Sequence, residues 1–360
     1  MARRPVVVKV GSSTIVDERG RLRRTRLEAI AADVAAASLA GTPTCIVSSG
    51  AIALGLGSLD RAVRPRRVAE LQAAAAVGQG ILQRAWERAV GRHGARAAQV
   101  LLTAADVRQR ATYVNARSTL ETLLAWDVIP VVNENDSTAT DEITFGDNDA
   151  LAAQVAVLTH ARLLVLLTDQ EGLYTRDPRQ AGAELVREVN DHRLLDDLEV
   201  GGSSSSWGSG GMRSKVVAAE MASAGGVPAV IAHGGTPGVV AAAIAGDAVG
   251  TRFRADERAV SSFKLWIRYG RPTAGRIEVD PGARKALERD GGSLLPVGVT
   301  GATGRFTTGD AVEIADPSGV VFARGLAEQP AAEVRKRAGQ RGAEPAVHRD
   351  NLVLLAARTP

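Results

Sequence analysis

Short apolar runs recur along the chain, each followed by a longer stretch of helical periodicity. The runs are PVVVKV (5–10), TCIVSSG (44–50), AAQVLL (97–102), VIPVV (128–132), LLVLLT (163–168) and PAVIA (228–232). Runs this short and this continuously apolar read as strands buried on both faces, the pattern of a parallel sheet. Thr25, with Glu28 three residues on, has the spacing of a capping box and opens an Ala-rich helix ending near Gly41. Residues 66–91, 112–126, 147–157 and 214–225 are helical, Thr103 and Asp106 mark a helix start, and Pro237 opens a last helix. Strand–helix alternation sustained this long predicts an α/β fold: a three-layer α/β/α sandwich with a mostly parallel sheet. In such folds ligands bind outside the carboxyl ends of the strands. The polar, Gly-rich segments GSS, SSGA, NEND and TDQEG fall there.

After residue 252 the texture changes. TRFRADERAVSSF is polar and charged and reads as a linker, followed by short strand-like pieces with frequent turns: GRIEVD, SLLPVGV, GRFTTGDAVEIADPSG and VVFARGLA. The expected organisation is an α/β domain over 1–254, a linker over 255–270 and a small, mostly β domain over 271–360. The charged stretch 331–345 reads as a solvated helix and loop.

Composition narrows the classes. With 45% hydrophobic and 23% charged residues, the chain is globular, and 360 residues suffice for two cored domains. A net charge of +4 does not by itself point to nucleic acid. Only five of the 44 basic residues are Lys, which singles out Lys9 and Lys215. One Cys excludes an intramolecular disulfide and any CxxC metal site. No run approaches the length of a membrane span, and the expected location is the cytoplasm. The five His are scattered, with no HExxH and no GxSxG, so no metal ligation by protein side chains is expected.

Lys9 sits inside an apolar strand, two residues before Gly11. A buried ammonium needs an anionic partner, either a core carboxylate or an anionic ligand. GSGGMRSK (208–215) is a Gly-rich loop ahead of a helix, where backbone N–H groups and the helix terminus favour anions, or it is a plain connection. SSSS (203–206) reads as a linker. NEND (133–136) and GDND (146–149) crowd polar side chains at a strand end and a helix start, beyond what capping alone requires.

KVGSS (9–13), IVSSGAIALG (46–55), VIPVVNEND (128–136), GDNDALAA (146–153), LLVLLTDQEGLYTRDPR (163–179) and GSGGMRSK (208–215) together resemble the bacterial glutamate 5-kinases of the amino acid kinase family. Residues 272–329 resemble the PUA domain that many of them carry. The resemblance implies the amino acid kinase fold with a PUA-like C-terminal domain. It also implies transfer of the ATP γ-phosphoryl group to the γ-carboxylate of L-glutamate, the first step of proline biosynthesis. Carried over position by position, Lys9, Lys215 and Asp149 are catalytic, with Asp149 holding the two lysines. Ser49, Gly50, Asn133, Asp136 and Asn148 match glutamate-binding positions. Lys9, Gly11, Ser12, Thr168, Asp169, Ser209, Gly210, Gly211, Met212, Arg213, Ser214 and Lys215 match ATP-binding positions. Arg213 stands where many relatives have a small residue. The resemblance further implies Mg2+ with the ATP, feedback inhibition by proline and a homo-oligomer, dimer or tetramer. Two other readings stand against this one. The first is a sibling kinase of the same fold acting on another acceptor; the second, not favoured at 3% aromatic residues, is RNA binding through the PUA-like domain.

Overall fold

A computed structural model describes residues 3–61, 63–103, 106, 110–138, 147–190, 211–256, 264, 267–268, 273–342 and 344–355. The chain divides into two compact units, Met1–Ala259 and Val260–Pro360. The first is built on an eight-stranded sheet. Its strands are β1 (Val6–Val10), β2 (Thr44–Ser48), β3 (Arg96–Leu102), β4 (Val128–Glu134), β5 (Leu163–Thr168), β6 (Glu188–Val189), β7 (Ala229–His233) and β8 (Thr251–Phe253), in the order 3-4-2-1-5-7-8-6. Pairing from β3 through β7 is parallel throughout, and β8 returns antiparallel on β7. β1 lies between β2 and β5, and all three are buried along their length, which is why their sequences are dominated by apolar residues.

The helices are α1 (Ser12–Ile15), α2 (Arg24–Leu39), α3 (Ala51–Ser58), α4 (Val68–Gly91), α5 (Arg110–Ala125), α6 (Asp147–Leu158), α7 (Met212–Ala224) and α8 (Val239–Ala245). Val6, Val8 and Val10 of β1 share one core with apolar residues of α2, α3, α4 and α8. Side chains alternate along a strand, so Val7 and Lys9 point to the opposite face, where α6 and α7 pack on β1 and β5. This alternation puts Lys9 on the α6/α7 side.

α3 and α4 cross backbone to backbone. A Cβ on Gly55 would lie 1.8 Å from the Ala74 carbonyl oxygen, and one on Gly78 would lie 1.8 Å from that of Ala51. The buried Trp86 of α4 donates its indole N–H to Ser48 Oγ at 2.9 Å, tying the same helix to the end of β2.

Several boundaries differ from the sequence expectation, each for a local reason. The Thr25/Glu28 capping box does not form: α2 starts at Arg24 with no side-chain cap, and Glu28 pairs instead with Arg92. Thr103 and Asp106 do cap reciprocally, the Thr103 N–H donating to Asp106 Oδ2 at 2.7 Å and the Asp106 N–H to Thr103 Oγ1 at 3.3 Å. Strand β4 runs on to Glu134, taking Asn133 into the sheet. The last helix of this unit opens at Val239, after Gly238 in the left-handed region, rather than at Pro237. Residues 251–253, which open the polar stretch that reads as linker but fall inside the expected 1–254 domain, form β8, with Thr251 and Phe253 fully buried. The SSSS stretch lies outside the described residues.

The second unit is a five-stranded sheet of β9 (Gly275–Val279), β10 (Val299–Gly304), β11 (Ala311–Ala315), β12 (Val321–Ala327) and β13 (Val347–Leu354), in the order 10-9-11-12-13. Ile277, Val279, Val299, Val312, Ile314 and Phe322 form its core. Among the described residues, α9 (Pro281–Asp290) and α10 (Ala331–Arg337) accompany it. The sequence reading did not anticipate α9, although its start and stop signals are present. Asp280 Oδ1 accepts the Ala283 N–H at 2.7 Å, Pro281 follows, and Gly291 closes the helix in the left-handed region.

The helix crossing yields the first test. Gly78→Ala forces a methyl into a backbone carbonyl and lowers stability by about 2 kcal/mol, the scale of core overpacking. Gly91→Ala, where a Cβ meets no atom within 4 Å, leaves stability unchanged or raises it by less than ~1 kcal/mol. Chemical unfolding of both variants measures the contrast.

Candidate active site

Lys9 reaches the α6/α7 face from β1, Asp149 from the first turn of α6 and Lys215 from the first turn of α7. The three meet inside the protein, each at most 4% exposed. Lys9 Nζ forms an ion pair with Asp149 Oδ1, and Lys215 Nζ lies 3.4 Å from Asp149 Oδ2. Ser214 Oγ stands 2.6 Å from the same Oδ2 and 2.8 Å from the carbonyl oxygen of Gly211. Burial pushes the Lys9 ammonium down to about 8, Asp149 pulls it up, and Lys215 adds a further downward push. Burial opposes the Asp149 charge most strongly, yet Lys9 and Lys215 outweigh it and hold the carboxyl at about 2. At neutral pH Lys9 is an ammonium and Asp149 a carboxylate, and Lys215 brings a second basic side chain onto the same carboxylate. Such a cluster is built to receive an anion.

Around it stand two loops. Gly11 caps α1, and a Cβ there would lie 3.8 Å from both Lys9 Nζ and Thr14 Oγ1. Ser12 follows as the first residue of α1. Ser49 follows β2, its N–H donating to the Val10 carbonyl at 3.0 Å, and Gly50 caps α3 with φ 115°, a conformation that favours glycine.

A chain of amides leads away from the charged cluster. Asn148 Oδ1 accepts the Glu134 N–H at 3.2 Å, and Asn148 Nδ2 donates to Asn133 Oδ1 at 3.0 Å. Asn133 Nδ2 in turn donates to Gln79 Oε1 at 2.7 Å. Asn133 is 1% exposed, in a strand end that tolerates such a group only because both ends of its amide are bonded.

The chain is similar to known proteins over nearly its whole length. Residues 4–233 match the amino acid kinase family, and residues 275–348 match the PUA domain. Curated relatives named glutamate 5-kinase align over nearly the full chain. That of Frankia casuarinae is 46% identical, covering 98% of this chain and 97% of its own length. That of Myxococcus xanthus is 45% identical over 98% and 96%, and that of Trichlorobacter lovleyi 44% over 98% and 97%. The chain belongs to the glutamate 5-kinase branch of the amino acid kinase family.

In this kinase the residues expected at the site fall into three groups. Lys9, Asp149, Lys215 and Ser214 are in contact, with Gly11 beside them. Asn133 and Asn148 are in contact through the amide chain. Thr168 and Asp169 form a separate pair at the end of β5, Thr168 Oγ1 donating to Asp169 Oδ1 at 3.1 Å. Gly211 caps α7, Met212 is buried at its start, and Arg213 points to solvent. Ser209 and Gly210 lie outside the described residues. Asp136 follows β4 in a turn; burial lowers the pKa of the half-buried Arg64 guanidinium, and Asp136 offsets part of that lowering.

Gln79, Arg64 and Thr14 were not singled out by the sequence reading. Gln79 lies in an Ala-rich helical stretch whose only cue is a polar side chain beside Gly78. Thr14 sits one residue beyond the KVGSS motif, and its Oγ1 is buried without a hydrogen-bond partner among the described residues.

Removing the central carboxylate tests the cluster. Asp149→Asn removes the carboxylate that the two buried lysines share and lowers stability by about 3 kcal/mol. Adding Lys9→Met recovers roughly half of that loss, because one uncompensated charge is gone. Equal stability of the single and double variants in chemical denaturation would contradict the coupling.

Proposed function

We propose that the protein catalyses transfer of the ATP γ-phosphoryl group to the γ-carboxylate of L-glutamate, giving γ-glutamyl phosphate and ADP at the first step of proline biosynthesis. One observation carries the reading. Two lysines from different elements are held on one carboxylate at the carboxyl ends of the central strands. The near-complete alignment with enzymes named glutamate 5-kinase supplies the acceptor.

The chemistry asks for positioning and charge more than for proton transfer. A side-chain carboxylate with a pKa near ~4.3 is ionised at neutral pH, so the nucleophile needs no general base. Its oxygen forms the new bond to the γ-phosphorus as the bond to the ADP oxygen breaks, and ADP leaves with the electron pair. Lys9 and Lys215 neutralise charge on the phosphoryl oxygens in flight, and Asp149 fixes both ammonium groups. Ser214, beside Asp149, keeps the start of α7 on the cluster. Gly11, Ser12, Thr168, Asp169 and the 209–215 loop bind the nucleotide. Ser49, Gly50, Asn133, Asp136 and Asn148 bind glutamate, with Asp136 taking the α-ammonium group.

The residues fit a Mg2+ ion that enters on the nucleotide. Both oxygens of Asp149 are engaged by lysines, and among the described residues no three His, Cys, Asp or Glu side chains gather to hold a cation. Phosphate oxygens and water would hold the ion, which supplies neutralisation of phosphate charge when bound.

Three further assignments follow the same reading. Proline, an amino acid with the same α-ammonium and α-carboxylate charges, inhibits by competing at the glutamate site. The protein acts as a homo-oligomer, supported by the exposed apolar side chains Leu101 on edge strand β3, Val114 on α5 and Trp126 just beyond it. It works in the cytoplasm, where ATP is supplied; no helix of the described residues is long and apolar enough to cross a membrane.

ADP release from MgATP tests the reaction. Release depends on L-glutamate and falls when L-proline is added; turnover with acetylglutamate or aspartate and none with glutamate would overturn the reading. Lys9→Ala and Lys215→Ala each lower kcat by about 10³-fold or more with the fold retained. For the wild type, kcat/KM for MgATP declines as pH rises through about 8, where Lys9 loses its proton in the free enzyme. A flat profile from pH 7 to 10 would remove Lys9 from the charge-stabilising role.

A further inference from the structure

The amide chain has a fixed sense. A backbone N–H can only donate, so the Glu134 N–H requires the oxygen of Asn148 to face it. That turns Asn148 Nδ2 toward Asn133, whose oxygen must then face back. Asn133 Nδ2 is thereby turned toward Gln79, and Gln79 must present its oxygen. One peptide hydrogen so orients three side-chain amides in series. Flipping any of them sets two donors or two acceptors against each other.

The consequence falls on the last member. Gln79 has spent its oxygen on Asn133, and its Nε2 is buried without a hydrogen-bond partner among the described residues. A buried amide donor left unpaired is unfavourable unless something completes it. Its position is also tightly held, because the adjacent Gly78 is the point where α4 meets the backbone of α3. α3 begins directly after Ser49 and Gly50, the proposed glutamate-binding loop.

We infer that Gln79 is a substrate-binding residue whose Nε2 donates to the α-carboxylate of the acceptor amino acid. The inference rests on the glutamate site proposed above. Of the acceptor's three charged groups, the reacting carboxylate belongs at the two lysines and the ammonium at Asp136, which leaves the α-carboxylate for an amide donor. Gln79 also acts through Asn133, whose amide it orients, but the donor function is separable from that one.

The separation sets the experiment. Gln79→Glu keeps an oxygen to accept from Asn133 and replaces the donor by an anion. The full-length wild type and the variant are compared with L-glutamate and with L-isoglutamine, which has a carboxamide in place of the α-carboxylate and keeps the reacting γ-carboxylate. Isoglutamine is measured as a substrate or as a competitor of glutamate. The expected result is a rise of at least tenfold in KM for glutamate, with kcat and KM for ATP changed less than threefold. The preference for glutamate over isoglutamine falls at least tenfold, because the new carboxylate repels one ligand and accepts from the amide of the other. A site that is merely loosened weakens both ligands together, so an unchanged preference overturns the inference and leaves the kinase reading intact. A wild type with no glutamate-dependent ADP release overturns the kinase reading and this inference with it. Should the charged variant fail to fold, Gln79→Met removes the donor without adding charge. It is expected to lose affinity for glutamate more than for isoglutamine, and equal losses overturn the proposal.

Discussion

Asp149 is a carboxylate taken out of water and placed between two ammonium groups that have also been taken out of water. None of the three is tolerable alone, since an isolated ion in a protein interior costs far more than an ordinary fold can spare. Together they set two basic side chains on a single carboxylate. Much of the architecture brings these atoms within reach: a central strand whose alternation points Lys9 away from α2, α3, α4 and α8, and two helices whose first turns carry Asp149 and Lys215. A buried surplus of basic side chains is unfavourable to the empty protein and favourable to the complex with an anion, and that asymmetry is what a phosphoryl-transfer site needs.

The neighbouring recognition site uses a different physics. It is neutral, made of side-chain amides, and takes its direction from a backbone group that cannot reverse its role. Charge carries the reacting end of the substrate and hydrogen-bond polarity carries the other. The two regions adjoin at consecutive residues of one helix, Asn148 for the amide chain and Asp149 for the charged cluster.

Much of this was legible in the chain. The apolar runs mark the central strands because a parallel sheet covered on both faces leaves no polar positions to interrupt them. Lys9 stood out as the one charge inside such a run, with a core carboxylate and an anionic ligand both open as partners; the core carboxylate is Asp149. Other features were not legible, for reasons that differ. The Thr25/Glu28 spacing is a local signal, and Glu28 finds a better partner in Arg92, 64 residues away. Thr251 and Phe253 look like linker because a three-residue strand is too short to show a period. α9 carried a full set of start and stop signals that a run of short strands obscured. Gln79 shows only a polar side chain beside Gly78, and its meaning depends on Asn133 and on a helix crossing that only the folded chain creates.

That crossing has one more consequence. Where two helices touch through glycine and carbonyl oxygen, no side chain lies between them to act as a compliant layer, and neither can slide without a collision of main chains. α3 and the adjoining half of α4 therefore form a single stiff block, clamped at its far end by the indole of Trp86. The loop at Ser49 and Gly50 and the amide of Gln79 ride on this block at a set separation. The separation of the recognition groups is thus fixed by main-chain contacts at Gly55 and Gly78, and it holds only as long as neither position gains a side chain.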